Sequence, residues 1–153
     1  MASQENLKEI LADELALLDR SMIMLEHSFR KCKKVGIKNE YDLDEYEKFE
    51  AMNSRFSRSS DILIQKLLRL VDVLDLETPG TIKDRIYRAA KKGAIPNADI
   101  IIDIRNLRNS ITHEYLPEAV KEIFATVLTS IPDLFNASKT LKHYCYEKYA
   151  VDL

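Results

Sequence analysis

Apolar residues recur along the first part of the chain at helical spacing. Leu11, Leu15, Leu18, Met22, Leu25, Phe29 and Cys32 alternate steps of four and three, which puts them on one stripe of a helix. The pattern predicts a first helix from about Asn6 to Lys34, ended by Gly36. Asp42, with Glu45 three residues on, is a capping-box pair that opens a second helix. Its apolar positions run from Leu43 through Phe49, Phe56, Leu63 and Leu70 to about Leu76, before Pro79-Gly80 breaks it. Thr81 with Asp84 opens a short third helix that stops near Gly93. Pro96-Asn97 starts a fourth, whose core stripe is Ile100, Ile104, Leu107 and Ile111. It is expected to end by Leu116, because Pro117 disfavours helical geometry at the residue before it. Pro117 suits the first turn of a fifth helix with Val120, Ile123, Phe124, Val127 and Leu128 on its apolar face. Pro132 is expected to kink or restart that helix, and Leu141 to Tyr149 is a further helical pattern.

Apolar and polar residues nowhere alternate as a half-buried strand requires, and there are only three glycines and four prolines in 153 residues. The fold class is therefore all-α: a five-helix, up-and-down bundle framed by two long antiparallel helices, forming one domain over 1–153. With 46% hydrophobic residues, the chain has material for a substantial core. A net charge of −2, from 23 basic and 25 acidic residues, excludes a general nucleic-acid binder that grips phosphates by charge alone. Any RNA contact must be local, in a cleft or shared between subunits. Cys32 and Cys145 lack metal-like spacing and read as free thiols of a reducing compartment. With no signal-like start and no apolar run near ~20 residues, the expectation is a cytoplasmic protein without membrane contact.

The chemistry concentrates in Arg108-Asn109-Ser110-Ile111-Thr112-His113-Glu114-Tyr115. Arg supplies a permanent charge and a planar fork of donors that match phosphate oxygens. His titrates near neutral pH and can act as acid or base. Together they suffice for metal-free RNA cleavage, in which the 2′-hydroxyl attacks the neighbouring phosphorus. Arg105, Arg108, Asn109, Thr112 and His113 fall on a helical sector away from the core stripe, facing solvent or a partner. Arg108 and His113 are ~140° apart around the helix, so one copy does not clamp a phosphate; two copies about a two-fold axis would line a shared cleft.

This string resembles the signature of HEPN domains (higher eukaryotes and prokaryotes nucleotide-binding), above all the HepT-type toxins. Arg108, a following polar Asn109, His113 and Tyr115 fill the pattern without a departure. The run Thr81 to Ile95 is similar to the corresponding helix and turn of nucleotidyltransferase substrate-binding proteins, and the resemblance is clear over about 43–118. It implies a toxin-type endoribonuclease with a composite active site at a homodimer interface. Arg108 and His113 would be catalytic, with Asn109 and Arg105 supporting RNA binding. The resemblance further implies an antitoxin partner, an MNT-type nucleotidyltransferase that transfers AMP to the tyrosine of the motif, here Tyr115, although a tyrosine before Leu116-Pro117 fits packing against the next helix equally well. The alternative it leaves open is a non-catalytic subunit that presents substrate to a nucleotidyltransferase. Neither reading calls for a cofactor, and no acidic cluster accompanies His113 as a metal site would require.

Elsewhere the residues carry less. His27 and His143 read as surface or packing residues, and Arg30 to Lys34 as basic residues favoured by a helix C-terminus. Tyr144, Tyr146 and Tyr149 read as a packed or interface edge, and Asp61 on the second helix as facing either the motif or solvent, with solvent the favoured reading.

Overall fold

A computed structural model describes residues 3–151. Helix α1 (Gln4–Val35) begins where the Ser3 hydroxyl accepts from the Asn6 amide at 3.2 Å. It stops at Gly36, whose φ of 77° is a conformation glycine adopts without penalty. The predicted seam is its buried stripe: Leu11, Leu15, Leu18, Leu25 and Cys32 are within the core, and Met22 and Phe29 pack on its edge. Helix α2 (Leu43–Asp61) opens with the Asp42–Glu45 capping box, both bonds present at 2.8 and 3.0 Å. It continues without a break through a π-helical turn (Ile62–Leu67) into α3 (Leu68–Leu74).

These two rods run antiparallel. Arg55 of α2 donates to the Met24 carbonyl and the Ser28 hydroxyl, Ser59 donates to Ser21, and Lys66 reaches Glu14. Residue numbers rise along one helix as they fall along the other. Ser21 and Ser59 are both buried, and their small side chains let the helices approach while satisfying one another's hydroxyls.

Helix α4 (Ile82–Lys91) is capped by Thr81 and Asp84 as its sequence predicts. It is tied to α3 by the buried Asp72, which meets Arg88 at 2.7 Å and Arg85 at 3.3 Å. Asp75, one turn along, is buried among Lys92, Tyr144, Tyr149 and Lys148. Tyr144 and Tyr149 thus form a packed edge, while Tyr146 is exposed.

Helix α5 (Ala98–His113) is capped by Asn97, and α6 (Pro117–Tyr149) completes an all-α bundle of five helical rods. Two features depart from expectation. The second rod contains the π-helical turn, which no local residue announces. The fifth does not restart at Pro132: α6 is continuous for 33 residues. Pro132 itself is exposed, so its ring does not disturb the core. As expected, α5 ends before Leu116, stopping at His113. The extended geometry that Pro117 imposes at Leu116 (ψ 133°) is shared by Glu114 (ψ 127°), so Glu114 to Leu116 form a connector.

The core stripe of α5 is also wider than predicted. Ile101 and Ile104 are its buried residues, and Ile100, Leu107 and Ile111 pack only partly against the core.

Candidate functional site

Including Ile101 in the buried stripe changes the position of Arg108. Seven residues bring an α-helix back to within ~20° of the same direction, so Arg108 lies almost directly above Ile101. It is therefore at the rim of the core, turned toward α2, and not on a free polar face. There it meets Asp61. The Arg108 Nε donates to Oδ1 at 2.7 Å and Nη2 to Oδ2 at 2.8 Å, a two-point pairing of fork with carboxylate. Asp61, whose favoured reading from sequence is solvent-facing, is in fact the partner of the motif arginine. On the other side, Arg108 Nη1 donates to the Thr112 hydroxyl at 2.6 Å. The hydrogen bond to Asp61, ahead of the opposing effect of burial, raises the Arg108 pKa above its ordinary value.

Arg108 is thereby locked in one rotamer. A guanidinium has five N–H donors. Three are taken, and two, one on each terminal nitrogen, have no protein partner among the described residues. The charge, however, is largely compensated by Asp61. Asp61 is the last residue of α2, immediately before the π-helical turn, where Ile62, Leu63 and Ile64 are buried in succession. Such turns recur near functional sites because they re-aim side chains within a helix. Here the turn leaves Asp61 at the rim while the apolar residues after it enter the core.

His113 is the final residue of α5 and is exposed. No hydrogen bond or ion pair joins it to Arg108 or to any other described side chain. Asn109 is exposed and Arg105 half-buried; neither makes a side-chain hydrogen bond among the described residues. One chain therefore brings together Arg108, Thr112 and Asp61 and leaves His113, Asn109 and Arg105 open. Tyr115 lies in the connector, not on a helix, and is 84% exposed. It does not pack against α6 as a buried aromatic would.

The other sequence candidates are structural. Arg30 pairs with Glu26 at 2.8 Å, Lys33 lies over the Phe29 ring, and His27 and His143 are exposed. Both cysteine thiols are buried, and desolvation pushes them up to about 11 (Cys32) and about 12 (Cys145). Among the described residues, no three His, Cys, Asp or Glu side chains are placed to share a metal ion. None of the described helices is long and apolar enough to cross a membrane. Asp61 left only a faint sequence signal, an acid adjoining the apolar run Ile62-Leu63-Ile64. Compared with protein-family models, curated proteins and solved structures, the chain matches none.

Proposed function

We propose that this protein is a toxin-type, metal-independent endoribonuclease that acts as a homodimer. The observation that carries the reading is the pairing of a pre-ordered arginine with an open histidine at the end of one helix. Arg108 is fixed by Asp61 and Thr112 with two N–H groups free for phosphate oxygens, and His113 is exposed five residues on. In the reaction, the RNA 2′-oxygen bonds to the adjacent phosphorus as the bond to the 5′-oxygen breaks. One imidazole takes the 2′-hydroxyl proton and a protonated one supplies the 5′-oxygen, leaving a 2′,3′-cyclic phosphate and a 5′-hydroxyl. Two protomers supply two histidines, so acid and base need not be the same residue. Arg108 stabilises the crowded phosphate, with Asn109 and Arg105 as further contacts.

Support for dimerisation comes from the connector, where Tyr115 and Leu116 are 84% and 66% exposed beside His113. Exposed large apolar residues next to a polar motif fit an interface. In the undimerised chain the same exposure makes the Tyr115 hydroxyl accessible to a modifying enzyme, which fits an antitoxin nucleotidyltransferase that places AMP there. A bulky anion two residues from His113 would then block RNA.

A second reading, a non-catalytic partner that presents substrate to a nucleotidyltransferase, is favoured by one observation. Asp61 compensates the Arg108 charge, which weakens its pull on phosphate. Growth arrest on expression, with new RNA ends and loss of both in His113→Ala, supports the enzyme. A harmless wild-type chain that leaves RNA uncut supports the binding subunit.

A further inference from the structure

Beside Tyr115 a cleft of about 490 Å³ opens between α2 and α6. That is within the range of small-molecule sites and ample for a nucleoside. Its apolar surface comes from Ile123 and Phe124 of α6, both buried. Its polar wall comes from α2, where Glu50, Asn53 and Ser57 recur at steps of three and four and so share one face. Glu114 and Tyr115 of the connector border it.

Two of these polar atoms have no partner. Asn53 is 8% exposed, yet its Oδ1 is buried without a hydrogen bond, as is the Ser57 Oγ. Buried polar groups are ordinarily satisfied, and unpaired ones in a cleft point to a missing ligand. The sequence marked this position too: Asn53 lies four residues after Phe49 and three before Phe56, inside the apolar register of α2. Among the described residues, no Lys, Arg or His lines the cleft, while two carboxylates do. Phosphate is thus disfavoured. The complementary ligand is flat, apolar on its faces, and rich in hydrogen-bond donors along an edge.

We propose that this cleft binds an unpaired RNA base carrying an exocyclic amino group, and that it sets base preference next to the scissile phosphate. The inference rests on the ribonuclease reading for its position in catalysis, since Tyr115 is two residues from His113. Amino groups of cytosine, adenine or guanine would donate to Glu50, Glu114 or Asn53, whereas uracil offers a single donor. Tyr115, exposed at the edge, provides a ring on which the base stacks.

The test is titration of the full chain with cytidine, adenosine, guanosine and uridine, read by amide NMR shifts at the Asn53 side chain and at residues 111–115. The expected result is saturable shifts with at least one amino-bearing nucleoside, uridine being weaker by about tenfold, as loss of an edge contact implies. Glu114→Gln and Asn53→Ala should each reduce the response. Glu114→Gln alters a partly exposed side chain and keeps the test valid if Asn53→Ala fails to fold. No saturable shift with any nucleoside, equal binding of uridine, or an undiminished response in Glu114→Gln would overturn the proposal. Because this readout needs no cleavage, nucleoside binding by a chain that leaves RNA intact would sink the ribonuclease and retain the cleft. Cleavage without nucleoside binding would do the reverse.

Discussion

Arg108 and Asp61, 47 residues apart in sequence, are joined by two parallel hydrogen bonds of 2.7 and 2.8 Å. The pair is only partly buried, with 27% and 33% of the side chains exposed. Its contribution to stability is therefore small, about 1 kcal/mol or less, and its effect is chiefly on where the guanidinium sits. Asp61→Ala is expected to lower RNA cleavage by roughly 10-fold or more, through lost positioning of a charge stabiliser worth ~10²–10³. Melting temperature should hardly move. Arg108→Lys should fail to restore activity, because an ammonium cannot hold Asp61 and Thr112 while facing phosphate. Full activity in both variants would show that the pairing is incidental.

Truncations along α5 are expected to separate core from rim. Ile101→Ala and Ile104→Ala remove buried side chains and should cost roughly 2–5 kcal/mol. Leu107→Ala, at a half-buried position, should cost clearly less, about 1–2 kcal/mol. Urea midpoints for the three variants check the order. A Leu107 variant as unstable as Ile104→Ala would mean that this face is buried in the functional assembly.

Acid stability should depend on Asp75. Burial alone would raise its pKa, but hydrogen bonds from Lys92, Tyr149, Tyr144 and Lys148 outweigh it and hold the carboxyl at about 2. A carboxyl depressed in the folded state stabilises the fold above its unfolded pKa, near 4, and loses that stabilisation as pH falls toward 2. The amount is about 2 kcal/mol. Asp75→Asn should accordingly destabilise at pH 7 and flatten the decline between about pH 4 and pH 2. Denaturant melts across that window are the check.

Tyr115→Phe removes only a hydroxyl that is exposed, so stability should change by no more than ~0.5 kcal/mol. Cleavage should remain, while a nucleotidyltransferase partner should no longer be able to silence the protein. Intact-mass measurement after incubation with that partner and ATP reads this directly: wild type gains the mass of one AMP group and Tyr115→Phe gains none. A gain of the same mass in the variant would move the modification elsewhere.

What was legible in the sequence was local. Capping pairs at Asp42/Glu45 and Thr81/Asp84 and the stop at Gly36 fix helix ends through residues within one turn of each other. The seam of α1 follows from spacing alone. What was not legible depends on neighbours distant in sequence. The segment Ile62–Leu67 reads as helix, but whether it takes α or π geometry is decided by what packs around it. Pro132 reads as a kink or a restart, yet the helix runs on through this exposed position without restarting. The arrangement of the motif residues was not legible either. Spacing put Arg108 with the polar sector, whereas burial of Ile101 and the carboxylate of Asp61 turn it toward α2.

The most direct test of the central claim is cleavage of a labelled RNA by the purified protein in excess EDTA, with product ends identified. Cutting is expected to be insensitive to EDTA and to leave 2′,3′-cyclic phosphate and 5′-hydroxyl ends. His113→Ala is expected to lower it by ~10²–10⁴-fold with an unchanged melting temperature. Uncut RNA with folded, dimeric wild-type protein, or undiminished cutting by His113→Ala, would contradict the claim.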